Sequence, residues 1–173
     1  GVIVSDQVFD WTDLPESVAV IGTGVIGLEL GQALARLGVR VAIYARGGSV
    51  AQVTDPEVLA TAARALGEEL DLRFHHKVTG ATQDGSEVVL VTVDADGTEH
   101  REPYQYVLVA AGRAPNVGDI GIDTTGLELD AKGVPLFDSQ TMQCGDSHIF
   151  IAGDANNEMP LLPEAADHGK IAG

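Results

Sequence analysis

Short apolar runs alternate with amphipathic segments at the start of the chain. Residues 18–21 are continuously apolar and are flanked by turn-forming residues, a pattern typical of a strand buried on both faces. Residues 25–37 then carry apolar side chains at helical spacing, and Gly38 predicts the end of that helix. Residues 39–44 predict a second strand, which gives the order strand, helix, strand.

A second helix and a third strand continue the same alternation. Asp55 and Pro56 suit the N-cap and the first helical position, and Gly67 predicts the end of this helix. Residues 72–74 then predict a short strand. Strands that alternate with helices in this way indicate a parallel sheet.

The pattern changes after residue 74. Asp84-Gly85 and Asp96-Gly97 are dipeptides typical of hairpin turns, and strand-like sequence at residues 87–93 lies between them. We therefore expect an antiparallel β-meander over residues 74–104 in place of one crossover helix, followed by a buried strand at residues 106–110. The fold class that this order indicates is α/β, with a Rossmann-like parallel sheet and an antiparallel meander.

In the rest of the chain, glycines and prolines interrupt the pattern of apolar residues more often, and the composition shifts near Gly112. Residues 149–152 predict one more buried strand, and residues 165–173 predict a helix that is still running at the last residue. The chain also begins at Gly1 rather than at a methionine, so we expect it to be a segment of a longer protein.

Composition and charge narrow the possible classes of function. The chain has 173 residues, 45% of them hydrophobic, and a formal net charge of −16. We therefore expect a packed core but no nucleic-acid partner and no membrane-surface role, because this surface repels phosphates and anionic lipid. No apolar stretch approaches the ~20 residues that span a bilayer. The single cysteine, Cys144, precludes a disulfide within the chain, favours a cytoplasmic location and is interpreted as a passive thiol.

One glycine motif carries the candidate chemistry, and it reads Gly22-Thr23-Gly24-Val25-Ile26-Gly27. It follows a predicted buried strand and opens a predicted amphipathic helix. In that context Gly22 permits the tight turn, Gly24 lets the backbone approach a pyrophosphate, and Gly27 lets the helix pack on the strand. Free amide groups and the helix dipole at the same place favour an anion. The alternative is a glycine turn that binds no ligand.

The end of the second predicted strand bears on the choice of cofactor. A carboxylate at this place would bind the 2′-hydroxyl of NAD, but Ala45 and Arg46 occupy it. A guanidinium suits a 2′-phosphate, so these residues favour NADPH over NADH. The alternative is that Arg46 is a solvated turn residue and that the pocket accepts either dinucleotide.

Taken together, the motifs resemble those of the pyridine nucleotide–disulfide oxidoreductases, with the dihydrolipoamide dehydrogenase-like branch as the nearest in pattern. The similar segments are residues 14–29 around the glycine motif, residues 107–116 (VLVAAGRAPN), residues 148–154 (HIFIAGD) and the helix at residues 161–173. The resemblance implies an interdomain connector at residues 1–13, an NAD(P)-binding domain at 14–112 and an incomplete return segment of an FAD-binding domain at 113–173.

The resemblance also implies roles for individual residues. Glu29 would lie beside the nicotinamide carboxamide, Val78 would pack on adenine, and Gly112 would approach a ribose. Asp154 would bind the ribityl chain of FAD, and the backbone of Leu161-Leu162 would contact the flavin. The full set of expected cofactor-binding residues is Gly22, Gly24, Val25, Ile26, Gly27, Glu29, Ala45, Arg46, Val78, Gly112, Arg113, Asp154, Leu161 and Leu162.

The parent enzyme that the resemblance implies transfers hydride between NAD(P)H and FAD and is a homodimer. The chain carries no redox dithiol, no first FAD-binding glycine motif and no dimerisation domain. We therefore expect no catalytic residue in this segment, no bound FAD and no activity of the isolated chain, whose partners would be a dinucleotide and the rest of the parent chain. The alternatives are a soluble transhydrogenase or flavin reductase without the dithiol, or a stand-alone dinucleotide-sensing module.

The adjacent His75 and His76 are the remaining candidates for metal chemistry. On a predicted strand they would point to opposite faces of the sheet. No other histidine or cysteine lies at ligand spacing in the sequence. We therefore expect no metal site.

Overall fold

A five-stranded parallel sheet organises the first of two units in the chain. The computed structural model describes all 173 residues and divides them into Gly1–Gly112 and Arg113–Gly173. Its strands are β1 (Val2–Val4), β2 (Ser17–Ile21), β3 (Arg40–Tyr44), β4 (Asp71–Arg73) and β8 (Tyr106–Val109). The spatial order of the sheet is β1-β8-β2-β3-β4, and every neighbouring pair is parallel.

Two helices connect the strands on one side of β2, as the sequence predicts. Helix α1 (Val25–Arg36) follows β2, and helix α2 (Pro56–Gly67) follows β3. The Asp55 carboxylate caps α2 by accepting hydrogen bonds from the backbone amides of Glu57 at 2.9 Å and Val58 at 3.0 Å. The predicted N-cap is therefore confirmed, and it satisfies amides that a helix start otherwise leaves unpaired.

An antiparallel meander replaces the next crossover, which confirms the second half of the predicted fold class. It consists of β5 (Lys77–Asp84), β6 (Glu87–Val93) and β7 (Glu99–Tyr104), in that spatial order. Gly85 and Gly97 lie in its two turns with φ of 58° and 84°, so the glycines of the two hairpin dipeptides have the left-handed conformation that favours glycine.

The parallel sheet is buried on both faces. On one face Val18, Val20 and Leu108 pack in a cluster with α1 residues such as Leu28. On the other face Ala19 and Val107 pack in a cluster that includes Val88, Leu90 and Tyr104 of the meander. Burial on both sides explains why β2 and β8 are apolar without alternation.

A partly buried polar network joins the meander to the sheet. The hydroxyls of Tyr44 in β3 and Tyr104 in β7 lie 2.9 Å apart, and Arg73 in β4 donates to the Tyr44 hydroxyl at 2.8 Å. Arg73 also pairs with Glu102, which accepts a hydrogen bond from Tyr104 at 3.1 Å. The guanidinium of Arg73 lowers the pKa of Glu102, and burial raises the pKa of Tyr104. These contacts provide hydrogen-bond partners for the phenol hydroxyls, which would otherwise be buried without a partner.

The second unit contains little regular structure. Short 3₁₀ helices form at Ile122–Thr124 and Gly153–Asn156, and α3 spans Leu162–Ala172. Its core consists of Val117, Val134, Cys144 and Ile151 with partly buried neighbours. None of the helices in the chain has the length and apolar character needed to cross a bilayer.

The strand predicted at residues 149–152 is wrong. Phe150 makes only an isolated antiparallel bridge with Gln143. The Cys144 amide donates to the Ile149 carbonyl at 2.8 Å, and the Ile151 amide donates to the Met142 carbonyl at 2.9 Å. The apolar run therefore pairs with one short loop, which is not long enough to extend a ladder.

Candidate functional site

The glycine motif forms the turn between β2 and α1. Gly22 has a φ of 114°, which a residue with a side chain rarely adopts. Its amide donates to the Tyr44 carbonyl at 2.8 Å, which fixes the turn to the end of β3. A Cβ atom at Gly22 would lie 2.5 Å from the Ala110 carbonyl oxygen, so the end of β8 leaves no room for a side chain.

Gly27 allows α1 to approach that turn closely. A Cβ atom at Gly27 would lie 2.2 Å from the Gly22 carbonyl oxygen and 3.4 Å from the Ala110 Cβ. The first contact is with backbone and cannot be relieved by turning a side chain. Gly27 therefore sets how deeply the first turn of α1 sits against the strand ends, the role that the motif predicts.

Gly24 is the open position of the motif. It is the N-cap of α1, with φ of −69° and ψ of 174°, and no side chain caps the helix. No atom lies within 4 Å of the place where its Cβ would be, and the first turn of α1 contains no acidic residue. The first amides of a helix have no intrahelical partner and carry the positive end of the dipole. This terminus can therefore accept an anion.

Thr23 ties the glycine turn to the loop after β3, a contact that the sequence did not indicate. The Thr23 hydroxyl donates to the Ser49 carbonyl at 2.6 Å, and the Ala51 amide donates to the Thr23 carbonyl at 2.7 Å. Thr23 is buried. Its place between two glycines in the sequence does not distinguish a buried hydroxyl that crosses to another loop from one that faces solvent.

The two residues predicted to determine the preference between NADPH and NADH follow β3. Ala45 is buried, and its amide donates to the Arg73 carbonyl at 3.0 Å. Arg46 is exposed and takes part in none of the ion pairs formed by the other arginines. Its guanidinium is therefore free to meet an anion from solvent.

The ends of three adjacent strands thus bring candidate residues to one edge of the sheet. The glycine turn follows β2, Ala45 and Arg46 follow β3, and residues 110–112 follow β8. The Ala110 amide donates to the Ile21 carbonyl at 2.9 Å. Gly112 is exposed, has a φ of 114° and has open space around it. The chain continues from β2 towards β3 on one side and returns as β8 on the other, so this edge is a topological switch point, where open α/β sheets bind ligands.

The other candidates lie in varied surroundings. In the first unit Glu29 is exposed on α1, and Val78 packs partly buried against the cluster of Tyr44 and Tyr104 beside a bulge in β5. In the second unit Arg113, Asp154, Leu161 and Leu162 are exposed, with Asp154 in a 3₁₀ helix and Leu161 as the N-cap of α3.

The strand position expected for the two histidines is wrong. His75 and His76 lie in the turn between β4 and β5 rather than on a strand, and His75 has a φ of 58°. The ring of His100 lies 5.5 Å from that of His76, and His76, Asp94 and His100 form one group of possible ligands. The separation of 24 positions in the sequence hides this proximity, which the meander creates.

Cys144 is completely buried in the core of the second unit, and burial raises the pKa of its thiol. A raised pKa keeps the thiol protonated, and the thiolate is the nucleophilic form. This environment agrees with the interpretation of Cys144 as a passive thiol.

The parallel sheet, the helix after the glycine turn and the meander define a Rossmann-like α/β protein. A family model described as pyridine nucleotide-disulphide oxidoreductase matches residues 2–169, and the chain belongs to this family. The resemblance noted in the sequence is confirmed.

Proteins similar to this chain include a dehydrogenase and a reductase. The chain is 29% identical to a dihydrolipoyl dehydrogenase of Bacillus subtilis over 92% of its own length and 34% of that protein. It is 34% identical to a mercuric reductase of Acidithiobacillus ferrooxidans over 92% of its own length and 28% of that protein. The crystal structure of LpdA from Mycobacterium tuberculosis superposes with a TM-score of 0.84 at 26% identity, over 98% of this chain and 36% of that chain. The chain thus spans about a third of the length of these relatives.

The close contact at Gly27 leads to a test of the turn. Alanine usually stabilises a helix relative to glycine by up to about 1 kcal/mol, and Gly67→Ala in α2, where a Cβ meets nothing within 4 Å, should follow this rule. Gly27→Ala should instead lower the free energy of unfolding by about 2 kcal/mol, because its Cβ meets backbone. Urea unfolding followed by circular dichroism compares the two variants. Equal effects in Gly27→Ala and Gly67→Ala would contradict the contact.

Proposed function

We propose that this chain binds a nicotinamide dinucleotide at the carboxyl edge of its parallel sheet, with the diphosphate at the N-terminus of α1. The observation that carries the proposal is the uncapped helix start with open space at Gly24. Val25, Ile26 and Gly27 supply the next amides, and unpaired amides of a helix start are the groups that bind phosphate. The switch point of the sheet lies at the same edge.

The acidic character of the chain does not oppose this site. Its net charge is −16, but charges beyond a Debye length of about 8 Å are largely screened at physiological ionic strength. The first turn of α1 contains no acidic residue, and the Arg46 guanidinium is exposed at the neighbouring strand end. The local charge around the turn therefore favours an anion.

The rest of the dinucleotide would extend along the same edge. Gly112 offers open backbone for a ribose, Val78 an apolar surface for adenine and Glu29 an exposed carboxylate for the nicotinamide carboxamide. Gly112 and Val78 suit contacts in which backbone or an aliphatic group must come close. Glu29 suits a partner that donates hydrogen bonds, since a carboxylate only accepts them.

The parent enzyme in this proposal transfers hydride between NAD(P)H and FAD. The two cofactors carry that chemistry, whereas the protein binds and orients them. Residues 14–112 would serve as the dinucleotide domain and residues 113–173 as part of the FAD domain. The exposed Asp154 carboxylate would accept hydrogen bonds from the ribityl hydroxyls, and the backbone of Leu161 and Leu162 would contact the flavin. Because the chain spans about a third of its relatives, the parent would supply the remaining domains, and we propose that the isolated chain is not catalytic.

The first test changes the helix start without weakening the helix. Gly24→Asp places a good N-cap residue at a backbone conformation that accepts it, so stability should be retained or improved. Its carboxylate would occupy the free amides and repel a diphosphate, so the Kd for NADPH should rise at least tenfold. Isothermal titration calorimetry measures the Kd. Gly118→Asp adds the same charge in open space of the second unit and should leave the Kd unchanged. If neither variant weakens NADPH binding, the proposed diphosphate site is contradicted.

The second test concerns the choice between NADPH and NADH. If the Arg46 guanidinium binds the 2′-phosphate, Arg46→Ala should weaken NADPH binding about tenfold, because a charged hydrogen bond contributes about 1.5–3 kcal/mol. NADH lacks that phosphate, so its Kd should change less than twofold. Titration of both dinucleotides by reduced-nicotinamide fluorescence gives the comparison. An equal loss for both, or no loss for either, would rule out the phosphate role of Arg46.

A further inference from the structure

Three side chains from separate parts of the meander meet on one side of it. His76 precedes β5, Asp94 follows β6 and His100 lies in β7. Lys77 pairs with Val93 and Thr92 pairs with His100, so the two antiparallel registers carry these residues to the same end of the sheet. Their ligand atoms lie within 4.8 Å of one another.

Hydrogen bonds hold all three side chains in place, and among the three neighbouring ligand atoms only the Nε2 atom of His76 makes none. The Nδ1 atom of His76 lies 2.9 Å from the Phe74 carbonyl oxygen, so this nitrogen donates and Nε2 is free to accept a metal. One carboxylate oxygen of Asp94 accepts from the amides of Asp96 and Thr98 at 3.0 and 2.9 Å. The other oxygen lies 2.8 Å from His100 Nε2.

The donor set and its exposure suit a transition metal. Two imidazoles and one carboxylate are common zinc ligands, with bonds of about 2.0–2.2 Å and a fourth position for water. Side chains of Asp94 and His100 are 22% and 39% exposed, so an ion can reach them from solvent and the rings can close by small rotations.

We propose that His76, Asp94 and His100 form a binding site for a divalent transition-metal ion, with Zn²⁺ as the ion of reference. His76 Nε2, His100 Nε2 and one Asp94 oxygen are the ligands, and water completes the coordination. The ion replaces the hydrogen bond between His100 and Asp94 and joins the entry to β5 to the turn between β6 and β7. This site uses none of the residues proposed to bind the dinucleotide.

The experiment titrates Zn²⁺ alone into the purified 173-residue chain by isothermal titration calorimetry in a buffer that does not bind metals. We expect one ion per chain, and at least a tenfold loss of affinity in His76→Gln and in His100→Gln. His75→Asn is the matched control, because it removes the neighbouring exposed imidazole and retains a residue that tolerates a positive φ. His148→Gln removes an exposed histidine of the second unit. Both controls should bind Zn²⁺ as the original chain does.

Imidazole NMR spectra keep the outcome clear if a variant folds poorly. In the unchanged chain, Zn²⁺ should shift the ring signals of His76 and His100 and leave those of His75 and His148 in place. The proposal is overturned if Zn²⁺ does not bind, if the controls lose as much affinity as His76→Gln and His100→Gln, or if the shifted rings belong to other histidines.

Discussion

The position of α1 is constrained by the close backbone contact between this helix and the turn that precedes it. The Gly22 carbonyl lies where a side chain at Gly27 would begin, and the Ala110 carbonyl lies where a side chain at Gly22 would begin. Hydrogen bonds from Gly22 to Tyr44 and from Ala110 to Ile21 hold the three strand ends around this turn. The start of α1 is thereby fixed against the sheet while Gly24 stays open, and the proposed dinucleotide site depends on that combination.

The meander contributes to the same unit in a different way. It covers the face of the sheet opposite the helices, with apolar residues from β6 and β7 in the shared core. The hydrogen-bonded set of Tyr44, Arg73, Glu102 and Tyr104 joins β3 and β4 to β7. A sheet that is apolar on both faces needs such a cover, and here an antiparallel sheet supplies it in place of a helix.

Most elements of the first unit could be predicted because they depend on residues that are close together in the sequence. The apolar run of β2, the helical spacing of α1 and the cap at Asp55 each depend on neighbours in the sequence, and each element formed within two residues of its predicted bounds. Strand β1 was missed because it has three residues and pairs only with β8, at the other end of the unit. The strand predicted at residues 149–152 did not form. The composition of this run suits a strand, but a strand also needs a partner, and the run makes only one bridge, to Gln143. The group of His76, Asp94 and His100 could not be foreseen, because it depends on the registers of two antiparallel pairings.

The proposed site places the diphosphate of a nicotinamide dinucleotide on the amides at the start of α1. A titration of the ¹⁵N-labelled chain with NADPH, followed by amide NMR spectra, reports on these amides one by one. Binding at this helix start requires the largest shifts at Gly24, Val25, Ile26 and Gly27, with smaller ones at the ends of β3 and β8. Saturable binding that leaves these four amides unmoved and shifts residues elsewhere would contradict it.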